Sequence, residues 1–136
     1  AMKDVRARLT TGDGAKAFCA GADIKELRPG PLTEQKGGAE FGQAVFARLD
    51  GLPIASVALV NGYAFGGGLE LALACTFRLA APNAVFGLPE VKLGLIPGYG
   101  GTQRLPRPIG EGGALELIMT GRALKADEAG RIGLIA

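Results

Sequence analysis

Two glutamates in this chain stand in apolar company: Glu70 within Leu69-Glu70-Leu71-Ala72-Leu73, and Glu90 within Leu88-Pro89-Glu90-Val91. A carboxylate among apolar residues is expensive unless it is paired or used. Two carboxyls held close in a poorly solvated site do not ionise independently, because like charge raises the second pKa; one can then accept a proton while the other donates. Taken alone, Glu90 reads more readily as an ordinary exposed loop glutamate. Just before Glu70 comes Gly66-Gly67-Gly68. Absent side chains let backbone NH groups approach a ligand closely. A helix start there would direct free NH groups and the positive end of its dipole outward, which suits an anion or a developing oxyanion. The same glycines would also serve tight strand–helix packing, and pattern alone leaves both uses open. A second small-residue turn, Phe18-Cys-Ala-Gly-Ala-Asp23, offers a further NH group at Ala22, although such a turn by itself is an ordinary tight connection.

Composition narrows the chemistry further. The 136 residues contain no histidine. That excludes Ser-His-Asp and Cys-His nucleophilic sites and HExxH zinc sites, and leaves proton transfer to carboxylates, Lys, Tyr or Cys. Cys19 and Cys75 lack metal-ligand spacing and are too few for a disulfide framework, so they read as reduced core thiols, and no metal site is expected. A net charge of +2 with scattered basic residues argues against nucleic acid. No apolar run reaches the roughly 18 residues of a membrane span and no signal-peptide pattern opens the chain, so no membrane association and a cytoplasmic location are expected. Gly12-Asp-Gly-Ala-Lys-Ala17 fits the spacing of a dinucleotide fingerprint. It is rejected because Phe18-Cys-Ala-Gly-Ala22 continues as a loop where a helix must open.

The elements that must position these residues follow from periodicity. Val5–Thr10 alternates as a strand with one buried face, and Thr11–Gly14 turns. Asp23 and Glu26 have the spacing of a capped short helix, ended by Pro29-Gly-Pro31. Phe41, Val45 and Leu49 recur as one face of an amphipathic helix weakened by Gly37, Gly38 and Gly42. Ile54–Val60 is apolar and branched, a strand expected to be buried on both faces. The glycine turn and a helix through Cys75 come next, then strands over Thr76–Ala81 and Val85–Leu88. A second glycine loop, Ile96–Gly101, precedes Thr102, a capping candidate for a short helix broken by Pro106 and Pro108. Helices over Gly112–Met119 and Ala126–Arg131 and an apolar Ile132–Ile135 complete the chain. Alternating strands and helices without a linker or repeat make a single α/β domain over residues 1–136.

Three long motifs in order carry a family resemblance: Ala17-Phe-Cys-Ala-Gly-Ala-Asp-Ile-Lys-Glu26, Val60-Asn-Gly-Tyr-Ala-Phe-Gly-Gly-Gly-Leu-Glu70, and Phe86-Gly-Leu-Pro-Glu-Val-Lys-Leu-Gly-Leu-Ile-Pro-Gly-Tyr-Gly-Gly-Thr-Gln-Arg-Leu105. With Thr120–Ala129 they resemble the enoyl-CoA hydratase (crotonase) family over almost the whole chain. The resemblance implies a right-handed crotonase-like spiral of ββα turns that assembles as trimers or dimers of trimers. It implies an acyl-CoA substrate whose thioester carbonyl is polarised by the NH groups of Ala22 and Gly67. It further implies catalysis by Glu70 and Glu90, with coenzyme A part of the substrate and no separate cofactor. Ala20, Ala22, Asp23, Ile24 and Lys25, with Gly67 and Gly98, match positions that bind the substrate and its CoA portion. Lys25 there meets a CoA phosphate or stands as a solvated surface lysine. Retention of both glutamates favours hydration of a 2-trans-enoyl-CoA; double-bond isomerisation is the alternative on the same scaffold.

Against the family pattern, the opening strand-and-helix portion before Met2 and the helical tail after Ala136 are missing, which makes a catalytically incomplete segment the third expectation. Thr76 stands where relatives often carry Asp, and Gly113 and Gly130 fall within expected helices, each costing about 1 kcal/mol against Ala.

Overall fold

Three consecutive strand pairs organise the chain. In a computed structural model describing residues 4–25, 27 and 30–136, β1 (Ala7–Thr11), β3 (Ala55–Val60) and β5 (Phe77–Ala80) form one sheet in the order β1-β3-β5. Each is followed by a short strand of a second sheet: β2 (Ala17–Cys19), β4 (Tyr63–Phe65) and β6 (Val85–Gly87), which β7 (Leu124–Lys125) extends to the order β2-β4-β6-β7. All of these pairings are parallel except β6 with β7. Parallel neighbours need long crossovers. Here α1 (Leu32–Asp50) and α2 (Gly67–Ala74) supply them, giving the expected spiral of ββα turns. A short 3₁₀ turn (Pro89–Leu93), α3 (Gly101–Arg104), α4 (Pro106–Thr120) and α5 (Ala126–Arg131) follow.

The corners of the spiral are tied by asparagines. The Asn61 side-chain amide donates to the carbonyls of Gly12 (3.2 Å) and Gly14 (2.7 Å), and its Oδ1 accepts from the Gly12 NH (3.1 Å). Asn83 then donates to the Asn61 carbonyl at 3.2 Å, so the three strand-to-strand corners are linked in register. Gly12–Lys16 is accordingly a tight turn into β2, not the mouth of a helix. Between the sheets and the later helices, Leu69, Phe86, Leu88, Leu105, Leu124 and Leu134 form a fully buried core.

Several expectations are corrected. Ile54–Val60 is not buried on both faces: Ser56, Ala58 and Val60 are buried, but Val57 shares a half-open face with Leu9 and Phe77, which are 66% and 54% exposed. Tyr63–Phe65, read with the glycine turn that follows Asn61-Gly62, forms the extra strand β4, too short to show a period. Asp23 opens no helix; its Oδ1 caps a single turn through the Lys25 NH (2.9 Å), while Glu26 and Pro29 lie outside the described residues. Thr102 is inside α3, which starts at Gly101 after a left-handed Gly100 (φ 102°). Pro106 begins α4 instead of breaking a helix, since the first helical position needs no NH partner. Helix α4 then kinks at Gly110. Helix α1 forms as expected, but its expected face is only partly covered: Phe41 is 73% and Val45 41% exposed, Phe46 and Leu49 are half-buried, and among the described residues none of its side chains is fully buried.

Thr76 has a structural role that the family pattern did not suggest. Its Oγ1 accepts the NH of the fully buried Ser56 (3.1 Å) while the Ser56 Oγ accepts the Thr76 NH (3.0 Å), so the end of α2 is cross-tied to β3. Cys19 and Cys75 are free thiols, half-buried and buried respectively, and burial raises the Cys75 pKa.

Glycine has opposite meanings at two helix positions. A Cβ on Gly68 would run into the Cys19 carbonyl of β2, whereas a Cβ on Gly113 would meet Ile109 at an ordinary 3.6 Å. We therefore expect Gly68→Ala to destabilise by about 1–3 kcal/mol. Gly113→Ala should stabilise by about 0.4–1 kcal/mol, with urea denaturation of both variants as the measurement.

Candidate active site

Strand β4 delivers the chain into Gly66, whose φ of 53° and ψ of −126° only glycine adopts readily. Helix α2 opens there, and no side chain among the described residues caps it. The turn at Gly21 (φ 98°) packs directly on it: a Cβ on Gly21 would sit 2.9 Å from the Phe65 carbonyl and 3.2 Å from the Gly67 nitrogen. Backbone thus touches backbone between the two small-residue turns, and Ala22 and Gly67 come from adjoining segments. Ala20, Ala22, Asp23, Ile24 and Lys25 continue along an exposed rim. Gly98 lies in the loop before α3, where its carbonyl accepts from the Gln43 side-chain amide of α1 at 2.8 Å.

One turn into α2, Glu70 is 1% exposed. Its Oε1 accepts two backbone bonds, from the NH groups of Tyr99 and Gly101, both at 2.9 Å. Burial pushes the Glu70 carboxyl above its ordinary pKa; the Gly101 and Tyr99 NH groups and the positive charge of Arg104 pull the other way without cancelling it. Gly101 must be glycine for this contact, since a Cβ there would stand 2.9 Å from the Glu70 oxygen.

Glu90, in the 3₁₀ turn, is the counterpart. Its Oε1 lies 3.1 Å from where a Gly66 Cβ would be, so the carboxyl faces the glycine turn. Its Oε2 is buried and has no hydrogen-bond partner among the described residues. Burial raises the Glu90 pKa most, its own backbone NH lowers it, and the charge of Glu70 raises it again. The two carboxyls therefore sense one another, and both hold protons more tightly than free glutamate. Such a pair can keep one member neutral as a donor and the other ionised as an acceptor.

Sequence reasoning missed the groups that hold Glu70 in place. Tyr99 and Gly101 act through backbone NH groups, which leave no trace in residue type beyond the glycine-rich Ile96–Gly101 loop. The Tyr99 ring also fills the space beside Gly67 (3.1 Å to its Cβ position), and Phe46 of α1 packs edge-on against it with centroids 5.6 Å apart. A separate cavity of about 310 Å³, bordered by Asp50, Arg78, Arg104 and Arg107, contains neither glutamate. Among the described residues no group of three His, Cys, Asp or Glu side chains is arranged to hold a metal, and no helix is long and apolar enough to cross a membrane.

Comparison with known proteins bears on this geometry. The sequence model of the enoyl-CoA hydratase/isomerase family matches residues 1–136. A putative enoyl-CoA hydratase/isomerase, YngF, from Bacillus subtilis is 53% identical over 135 residues, covering 97% of this chain and 51% of the relative. The short-chain-enoyl-CoA hydratase of Clostridium acetobutylicum is 50% identical over 132 residues, with 97% and 51% coverage. The crystal structure of an enoyl-CoA hydratase from Bacillus anthracis superposes with a TM-score of 0.91 at 47% identity, covering 98% of this chain and 52% of that one. The chain spans about half the length of the curated relatives it matches.

Raised carboxyl pKa values have a defined consequence for stability. The folded state binds more protons than the unfolded chain above the ordinary value of 4.5, so this contribution is complete below that pH and is lost as pH rises through the folded pKa values. Glu90→Gln removes the charge without changing the shape. The stability difference between the variant and the parent, measured by denaturation from about pH 5 to about pH 8, should move steadily in favour of the variant as pH rises. A pH-independent difference would contradict the burial assigned to Glu90.

Proposed function

Because the chain belongs to the enoyl-CoA hydratase/isomerase family, we propose that the protein adds water reversibly across the double bond of a 2-trans-enoyl-CoA thioester, giving the 3-hydroxyacyl-CoA. The observation that carries this reading is the burial of Glu70 and of one oxygen of Glu90, two carboxyls of raised pKa, beside a glycine turn that no side chain among the described residues caps.

In this mechanism the NH groups of Ala22 and Gly67 receive the thioester carbonyl. As water attacks the β-carbon, negative charge moves onto that oxygen, and each aligned donor lowers the barrier by roughly 3 kcal/mol. Glu70, ionised in its two-NH cradle, takes one proton from the water while the new C–O bond forms. Glu90, protonated where desolvation and the Glu70 charge disfavour its ionised form, delivers a proton to the α-carbon as the enolate collapses. The C=C bond is replaced by C–OH and C–H bonds. The proton gained by Glu70 and lost by Glu90 is rebalanced through solvent. Desolvation suits both roles, because an acid and a base of raised pKa operate near neutral pH.

The rim of Ala20, Asp23, Ile24 and Lys25, with Gly98, is assigned to the substrate's acyl and CoA portions, and the chemistry calls for no cofactor beyond the CoA already in the substrate. A cytoplasmic homo-oligomer, a trimer or a dimer of trimers, belongs to the same proposal. The exposed Leu9, Leu32, Phe41 and Phe77 support further protein contact.

Crotonyl-CoA should lose its conjugated-thioester absorbance when mixed with the full-length protein. Glu70→Gln and Glu90→Gln should each lower kcat by about 10²–10⁴-fold with little change in KM. A folded, assembled sample without turnover would overturn hydration. A shifted double bond with no oxygen incorporated from labelled water would select isomerisation instead.

A further inference from the structure

The cradle of Glu70 is itself held from behind. Gly100, with φ 102°, lets Arg104 fold back beneath the loop, its Nη1 occupying the place a Gly100 side chain would take. Arg104 Nη1 donates to the Tyr99 carbonyl at 2.9 Å. The other edge of the guanidinium, Nε and Nη2, donates to Asp50 Oδ2 at the end of α1, at 3.2 and 2.6 Å. Every guanidinium nitrogen is thus engaged, and the Arg104 side chain is only 11% exposed while Asp50 is 44% exposed. Residue 99 is gripped at both ends, with its NH on Glu70 and its carbonyl on Arg104, so rotation there would break both bonds together.

We propose that Arg104, anchored by Asp50, is a positioning residue that locks the Tyr99–Gly101 cradle around Glu70 and supplies the fixed positive charge behind it. This inference rests on the hydratase reading for its catalytic meaning, but not for its geometry. An exposed ion pair is worth little. This one differs because its cation is sequestered and bonded to the backbone that carries Glu70's two donors. The charged groups around Glu70 are few. Arg104 comes from α3, Asp50 from α1 acts through Arg104, and Glu90 comes from the 3₁₀ turn. Arg78 on β5 is committed elsewhere, to the carbonyls of Cys75 (3.1 Å) and Leu134 (2.8 Å), and the thiol-bearing Cys19 of β2 abuts Gly68.

The two halves of the pair act on Glu70 with opposite sign, which separates electrostatic positioning from general support. Arg104→Met removes the positive charge and should move the Glu70 titration to higher pH. Asp50→Asn leaves Arg104 uncompensated and should move it to lower pH. Arg104→Lys keeps the charge but not the fork, so it should leave the titration near that of the parent while kcat still falls. The readout is the ¹³C carboxyl shift of glutamate-labelled full-length protein as a function of pH, with the Glu70 resonance identified by its loss in Glu70→Gln. In the crotonyl-CoA assay, Arg104→Met should lower kcat about 10- to 100-fold with KM near parental. Shifts in the same direction for Arg104→Met and Asp50→Asn, or no shift in either, would overturn the proposal. Should Arg104→Met fail to fold, the downward shift in Asp50→Asn decides it alone. Carboxyl titration needs no turnover, so absence of hydratase activity would sink the functional reading and leave this one standing or falling on the spectra.

Discussion

A carboxylate with 1% of its surface exposed, tied through one oxygen to two backbone NH groups, is the constraint around which this structure is arranged. Burial alone would force Glu70 to neutralise; two NH donors and a nearby guanidinium keep ionisation within reach. Meeting that requirement dictates much of the surrounding chain. The loop after the 3₁₀ turn must pass over the first turn of α2, it must carry glycine at 101 so that an oxygen can approach, and it must be held at that height. Tyr99 does the last of these from its ring, wedged between Gly42 and Phe46 of α1 and the Gly67 backbone, and Arg104 does it from beneath.

Side-chain absence is used in the same way along the spiral. At Gly21 and Gly68 the backbone of one turn lies directly against another, at Gly66 the Glu90 carboxyl takes the place a side chain would fill, and positive φ values at Gly66 and Gly21 further favour glycine. Close approach of this kind places donor groups from separate crossovers side by side without intervening side chains. The asparagine-tied corners hold the crossovers in register, so β2 and β4, each only three residues long, can end at a defined height beside α2. Small strands with few ladder bonds are steadied here by their corners as much as by their pairing.

Glu90 shows the complementary arrangement. Glu70 is satisfied by fixed donors, whereas one oxygen of Glu90 is buried with no partner among the described residues, and the neighbouring Glu70 charge further disfavours its ionised form. Two chemically identical side chains are thereby made unequal by their surroundings, the condition under which a pair of carboxyls divides acid and base work. Neither inequality involves a charged partner in direct contact; backbone dipoles and desolvation do most of it.

Residue type and order alone determined the chemical inventory: no imidazole, two glutamates in apolar settings, two small-residue turns, and motifs long enough to resemble one family. They also located α1, α2, α5 and the strands β1, β3, β5 and β6 to within a few residues, because hydrophobic period and glycine punctuation are local signals. What only the tertiary structure decided was everything carried by backbone and by distance. The three-residue β4 and two-residue β7 are too short to show a period. Whether Pro106 opens a helix or breaks one depends on where the preceding helix α3 ends. The Tyr99 and Gly101 NH donors are invisible in side-chain identity, and the Asp50–Arg104 pair joins residues far apart in sequence. The glutamates could be recognised as unusual from their neighbours. That one is cradled, while one oxygen of the other has no partner among the described residues, depends on which peptide groups the folded chain brings near each oxygen.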